Sequence, residues 1–223
     1  MIRWLILAGA AMAVVSNPAA PRAFGVTLWF IVALDAAVYW PRLVKVTRDL
    51  WNHRLAFIGE RAVAEELSQL LASGFHVFHD LVFENYNVDH VIVGPTGVFV
   101  VETKTRRKPK QNGKKVGYKV GYDGTALFWP KARETKSVEQ SLANARSVSK
   151  WLSSATGAPV SVQPVVTAPG WWIDDATQHS VWALNPKRIR PHVEAHKSSP
   201  LSNQRVASIC YQLTEKCRLR KDQ

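Results

Sequence analysis

Cysteine is almost missing from this chain of 223 residues: Cys210 and Cys217 are the two present. They have neither CxxC nor zinc-ligand spacing, which argues against a disulfide scaffold or a structural zinc site and fits two inert thiols on a C-terminal helix in a reducing compartment. The histidines, His76 and His79 among them, are not arranged as metal ligands. Acidic residues are scarce, 17 against 29 Lys and Arg, and the resulting net charge of +12 favours an acidic partner such as nucleic acid or an anionic lipid surface. No internal repeat or low-complexity tract is visible. An apolar fraction of 47% is enough for a core, and the length suits one domain plus extras.

The first forty residues are of a different material. Residues 4–15 form one apolar run, and residues 23–40 form a second, broken only by Asp35. At about 1.5 Å per residue the second spans roughly 27 Å, close to a bilayer core, whereas the first must borrow polar neighbours. The expectation is a transmembrane helical hairpin over residues 1–41. A cleaved signal peptide followed by a stop-transfer segment is the rival. Arg42, Lys45, Arg48 and Arg54 follow the second run against Arg22 alone between the two, so either topology puts the body in the cytoplasm. Asp35 falls near the cytoplasmic end, within reach of water. Residues 42–57 read as a basic juxtamembrane linker, residues 58–197 as the main domain and residues 198–223 as a helical extension.

In the body, Val63, Leu67, Leu70 and Leu71 make one buried helical stripe that starts near Gly59 and ends at Gly74, with Glu60 on or beside it. Strands are expected over residues 75–83, 88–93 and 98–103, then a mobile basic loop over residues 104–119 and a hairpin turning at Asp123-Gly124. A helix over residues 137–156, strands over 160–167 and 181–184, and a helical tail over 200–219 complete the order. This is an α/β chain with a mixed central sheet flanked by helices.

The segment VDHVIVGPTGVFVVETK, residues 88–104, carries the chemistry. With a symmetric turn that sets Gly94 opposite Gly97, Asp89 lies directly across from Glu102, and Lys104 shares their face while His90 and Thr103 point away. Opposed like charges destabilise a sheet, and a divalent cation relieves them; two carboxylates, a carbonyl and waters suit Mg²⁺ or Mn²⁺ at a phosphate. Pro95 disfavours a primed turn, and a type I turn with a bulge at Gly97 would shift the pairing by one.

The run from Gly59-Glu60 through Asp89-His90 and Gly94-Pro95-Thr96-Gly97 to Glu102-Thr103-Lys104 resembles the nuclease-related domain (NERD) family of the PD-(D/E)XK nuclease superfamily. The resemblance is convincing over about residues 56–105 and weaker to about 168. It implies a restriction-endonuclease-like core and Mg²⁺-dependent cleavage of DNA, with Asp89 and Glu102 as metal ligands, Lys104 positioning water and Glu60 completing the shell. Gln140 matches a glutamine of similar nucleases, and Ser137 with Gln140 also reads as a capping box. The superfamily's proline has no counterpart before Asp89. Arg106, Arg107, Lys108, Lys110, Lys114 and Lys115 follow Lys104 and are expected to meet a phosphate backbone. Tyr118, Tyr122, Phe128 and Trp129 are suited to base stacking or to packing, and Trp171-Trp172 to a core or a membrane rim. The rival function is an inactive nuclease-fold module that binds nucleic acid, anionic lipid or a protein at the membrane.

Overall fold

The computed structural model describes residues 22–83, 86–111, 114, 115 and 117–221, with Gly9, Met12, Ala13 and Ser16. The chain divides into two units, residues 1–54 and 55–223. Helix α1 (Arg22–Ser68) runs through Pro41 and takes in residues 42–57, the expected juxtamembrane segment. In the first unit Phe30, Leu34 and Trp40 are exposed. Among the described residues no helix is long and apolar enough to cross a membrane. The first expected span lies mostly outside the described residues, and the second falls within α1.

The second unit is built on strands β1 (His76–Val82), β2 (Asn87–Gly94) and β3 (Gly97–Thr103), followed by the short pair β4 (Lys110–Gln111) and β5 (Lys114–Lys115). Then come β6 (Lys119–Tyr122), β7 (Leu127–Trp129), β8 (Ala132–Glu134) and helix α2 (Lys136–Thr156). The chain continues through β9 (Val162–Thr167), β10 (Trp172–Ile173), β11 (Trp182–Leu184), α3 (Pro186–Ala195) and α4 (Asn203–Lys221). The main sheet has the order β1-β2-β3-β9-β11; β1 to β3 are antiparallel, and β9 and β11 extend β3 in parallel. It is the mixed sheet expected.

Both faces are covered, which is why β2 and β3 read as near-continuous apolar runs. On one face Val91, Val93, Val98 and Val100 meet α2 through Val148 and Leu152 and α4 through Ile209 and Leu213. On the other, Ile92, Phe99 and Val101 meet Val63 and Leu67 of α1 and Ile189 and Val193 of α3. A second sheet, β10-β6-β7-β8, contributes Val120, Leu127, Trp129 and Ile173 to a third cluster with Val166 and Ala183.

Leu71 departs from the expected stripe. After Ser68 the chain tightens into a 3₁₀ turn (Gln69–Ser73), whose three residues per turn keep Leu70 buried and swing Leu71 outward. Gly74 ends it in the left-handed region at φ +78°.

The β2–β3 turn decides the register. Gly94 pairs with Gly97, and the ladder runs from there to His90 opposite Val101, so Pro95 does not shift it. Gly97 absorbs the unprimed loop at φ +140°, and Gly94 is bare because a β-carbon there would overlap the Phe75 ring.

Candidate active site at the end of the central hairpin

One step beyond the pair His90–Val101, the same register sets Asp89 across from Glu102. Here the backbone ladder gives way to a side chain: the Thr103 N–H donates to Asp89 Oδ2 at 2.7 Å. Glu102 is only 6% exposed. Asn144 on α2 donates through Nδ2 to Glu102 Oε2 at 3.3 Å and to the Asn87 carbonyl at 3.2 Å, tying the glutamate to the far strand of the hairpin.

Burial and mutual repulsion dominate the electrostatics. Burial, then the Asp89 charge, pushes Glu102 up to about 8; Glu60 and Glu134 add to this and Lys104 opposes it. Asp89 is raised to about 6, chiefly by burial, with the Thr103 N–H and Lys104 pulling the other way. Neutral solution therefore leaves a proton on the pair unless a cation replaces it.

The close approach of α1 to the end of β3 explains how Glu60 arrives. Gly59 is buried, and a β-carbon on it would overlap the Thr105 methyl group and crowd Pro169. Glu60, the next residue, is half-buried and raised by burial and by Asp80. Lys104, one residue past β3, is anchored by its own N–H to the Thr167 carbonyl at 2.8 Å, and its charge acts on both Asp89 and Glu102. Thus Glu60, from a helix, and Lys104, from the residue after β3, both act on the Asp89–Glu102 pair.

Asp80, Asn144 and Glu134 were missed in the sequence. The β1–β2 pairing passes from His79–His90 to Leu81–Val88, and Asp80 between them, opposite Asp89, adopts φ +51°. An aspartate tolerates that conformation better than most residues. Asn144 had a signal: with Ser137 and Ser141 it forms a buried polar stripe at helical spacing on α2.

Gln140 is exposed, one turn before Asn144 on the same side of α2. The capping box is not formed. The helix starts one residue earlier than expected, and Ser137 donates its N–H and its hydroxyl to the Glu134 carboxylate, with 2.7 Å for the N–H. Arg106 and Lys108 lie over Trp129 and Trp171, at 5.2 and 5.8 Å from the ring centroids, so their stems serve packing as well as charge. Arg107 is exposed; the side chains of Lys110, Lys114 and Lys115 lie outside the described residues. Trp129 and Trp171 are buried, Tyr122 is half-buried with its hydroxyl on the Val181 carbonyl at 2.9 Å, and Tyr118, Phe128 and Trp172 are exposed.

Among the described residues no three His, Cys, Asp or Glu side chains are grouped to hold a metal by themselves. An all-oxygen pair at Asp89 and Glu102, each raised by burial and by acidic neighbours, nevertheless fits Mg²⁺, which keeps waters and substrate oxygens in most of its shell. In comparisons with known proteins, the family model described as nuclease-related domain, NERD, matches residues 55–169. No curated protein and no solved structure matches the chain.

Proposed function

Given that the chain belongs to the nuclease-related domain (NERD) family, within the PD-(D/E)XK superfamily, we propose that it is a divalent-metal-dependent nuclease hydrolysing DNA phosphodiester bonds. The observation that carries this reading is the placement of Asp89 opposite Glu102 at the end of the hairpin ladder, with the Lys104 charge acting on both. Asp89 and Glu102 would hold Mg²⁺ or Mn²⁺, which when bound supplies a Lewis acid for the phosphate and lowers the pKa of a water.

The protein's own groups do the rest. The Thr103 N–H fixes one oxygen of Asp89, and Asn144 fixes one of Glu102, so both carboxylates are oriented before any substrate arrives. Lys104 holds the attacking water and favours its hydroxide form, and Glu60 completes the water shell from the helix side. Gln140 stands at the exposed end of the Asn144 side of α2, where it can meet substrate. The segment Arg106–Arg107–Lys108 receives the phosphate backbone in a sequence-independent way.

The N-terminal segment serves, in this reading, as a membrane anchor with the nuclease-related domain in the cytoplasm. The exposed Phe30, Leu34 and Trp40 of α1 support this, as does the run of basic residues that follows them.

The test compares the full-length protein with its Lys104→Ala and Glu102→Ala variants on plasmid DNA, with Mg²⁺ and with chelator. Metal-dependent cleavage by the native protein, reduced at least a hundredfold in both variants, is expected. Equal cleavage by all three overturns the proposal. DNA binding that persists in chelator with no cleavage under any condition would make the domain an inactive binding module instead.

A further inference from the structure

Among the described residues of the second unit, the second sheet is covered on one side only. Val120, Leu127, Trp129 and Ile173 point into the core, while the opposite face carries Trp172, Lys119, Gly121, Phe128 and Arg133. Trp172 is 51% exposed and Phe128 41%. Trp172 pairs with Lys119 across β10 and β6, and Gly121 pairs with Phe128, which pairs in turn with Arg133. The two rings therefore lie two strands and one side-chain step apart, roughly 12 Å, far enough for each to take its own planar partner.

Three details set this face apart from scattered exposed aromatics. The Trp172 indole N–H donates to Asp174 Oδ1 at 2.7 Å, which orients the ring, and the Arg133 guanidinium stands 5.9 Å from the Phe128 centroid. Gly121 has no packing reason to be glycine: a β-carbon there would meet Phe128 at 3.5 Å, an ordinary contact, and its φ is not in the left-handed region. Glycine weakens a strand interior, and it leaves the floor beside Phe128 flat. Beyond Trp172 the surface falls into a cleft of about 430 Å³, lined in part by Lys108, Lys187 and Tyr118, itself 60% exposed.

Flat rings interleaved with cations match bases interleaved with phosphates. We propose that the outer face of the second sheet binds an unpaired DNA strand, with Trp172 and Phe128 stacking on bases and Lys119 and Arg133 meeting the phosphates. A duplex hides its base faces from such rings. A protein or lipid partner would favour a continuous apolar patch over one cut by Lys119 and Arg133. The choice of DNA over RNA rests on the proposed function, since Lys119 and Arg133 can donate to a ribose 2′-hydroxyl as well as to a phosphate.

The surface is separate from the Asp89–Glu102 pair, so it is tested without cleavage, in chelator. Full-length protein is titrated into labelled oligo(dT), oligo(U) and a duplex of equal length, following fluorescence anisotropy. Phe128→Ala and Trp172→Ala should each weaken oligo(dT) binding about tenfold, leave its salt dependence unchanged and alter duplex binding less than twofold. Lys119→Ala should instead lower the slope of log affinity against log salt by about 0.7. Phe128→Tyr and Trp172→Phe should retain affinity, which separates stacking from misfolding. Unchanged oligo(dT) binding in both ring→Ala variants, equal losses on duplex, or tighter binding of oligo(U) would each overturn the proposal.

Discussion

Asp89 accepts the backbone N–H of Thr103 at 2.7 Å, so a side chain, not a strand, completes the hairpin ladder next to the buried Glu102. One carboxylate thus has two duties, to satisfy a half-buried donor and to stand opposite another acid.

Those duties separate by substitution. Asp89→Asn keeps an oxygen for Thr103 and loses the charge, so cleavage should fall at least a hundredfold with the melting temperature preserved. Asp89→Ala abandons the donor as well and should cost about 1–3 kcal/mol of stability in addition. Paired thermal melts and plasmid cleavage distinguish the two.

Stability should run against pH in a diagnostic direction. Glu102 and Asp89 have folded values of about 8 and about 6, above their ordinary range, so between roughly pH 4 and 8 the folded chain holds more protons than the unfolded one. Their contribution is full on the acid side and is lost as pH rises through about 6 and then about 8. In chelator the melting temperature should fall over that window, and Glu102→Gln should flatten the fall. Added Mg²⁺ should restore stability most at the alkaline end, where the pair is ionised.

Gly59→Ala should impair cleavage without touching a charged group. The new methyl meets the Thr105 methyl and pushes α1, with Glu60, off the end of β3. We expect a loss of about tenfold to a hundredfold in turnover. Thr105→Ser removes the obstructing methyl and should recover part of it. A double variant no better than Gly59→Ala would disprove the steric account.

In the proposed site Asn144 acts on Glu102 from α2. Asn144→Ala should weaken Mg²⁺ activation about tenfold to a hundredfold, with a smaller effect at saturating metal. Metal titration of cleavage rates is the measurement, and an unchanged half-saturation point would limit Asn144 to its bond with Asn87.

The hairpin was legible in the sequence because its apolar alternation and paired glycines specify one register, and Pro95 proved compatible with that register once Gly97 took the unusual φ. The mixed sheet and its two layers of helices followed from the order of periods. Helix α3 was not foreseen: its start is an Asn185 cap accepting the Lys187 N–H, followed by Pro186, which alone reads as a turn, and Pro191 lies in its interior. Strands β8 and β10 are three and two residues long, too short for any periodicity to register. Asp80 was invisible for a different reason, since its place opposite Asp89 depends on the β1–β2 register, which no local pattern announces. The exposed and buried aromatics around β6, β7 and β10 could be sorted only once the second sheet's covered side was known.

The stretch matched by the family ends at residue 169, before β11, α3 and α4 have been laid down. Those later elements bring Leu184, Ile189 and Val193 to one face of the main sheet and Val206, Ile209 and Leu213 to the other. A fragment cut at the family boundary would thus bare apolar surface on both sides and invite aggregation. The family segment is, in this chain, a guest that depends on residues 170–223 of its own protein to stay dry.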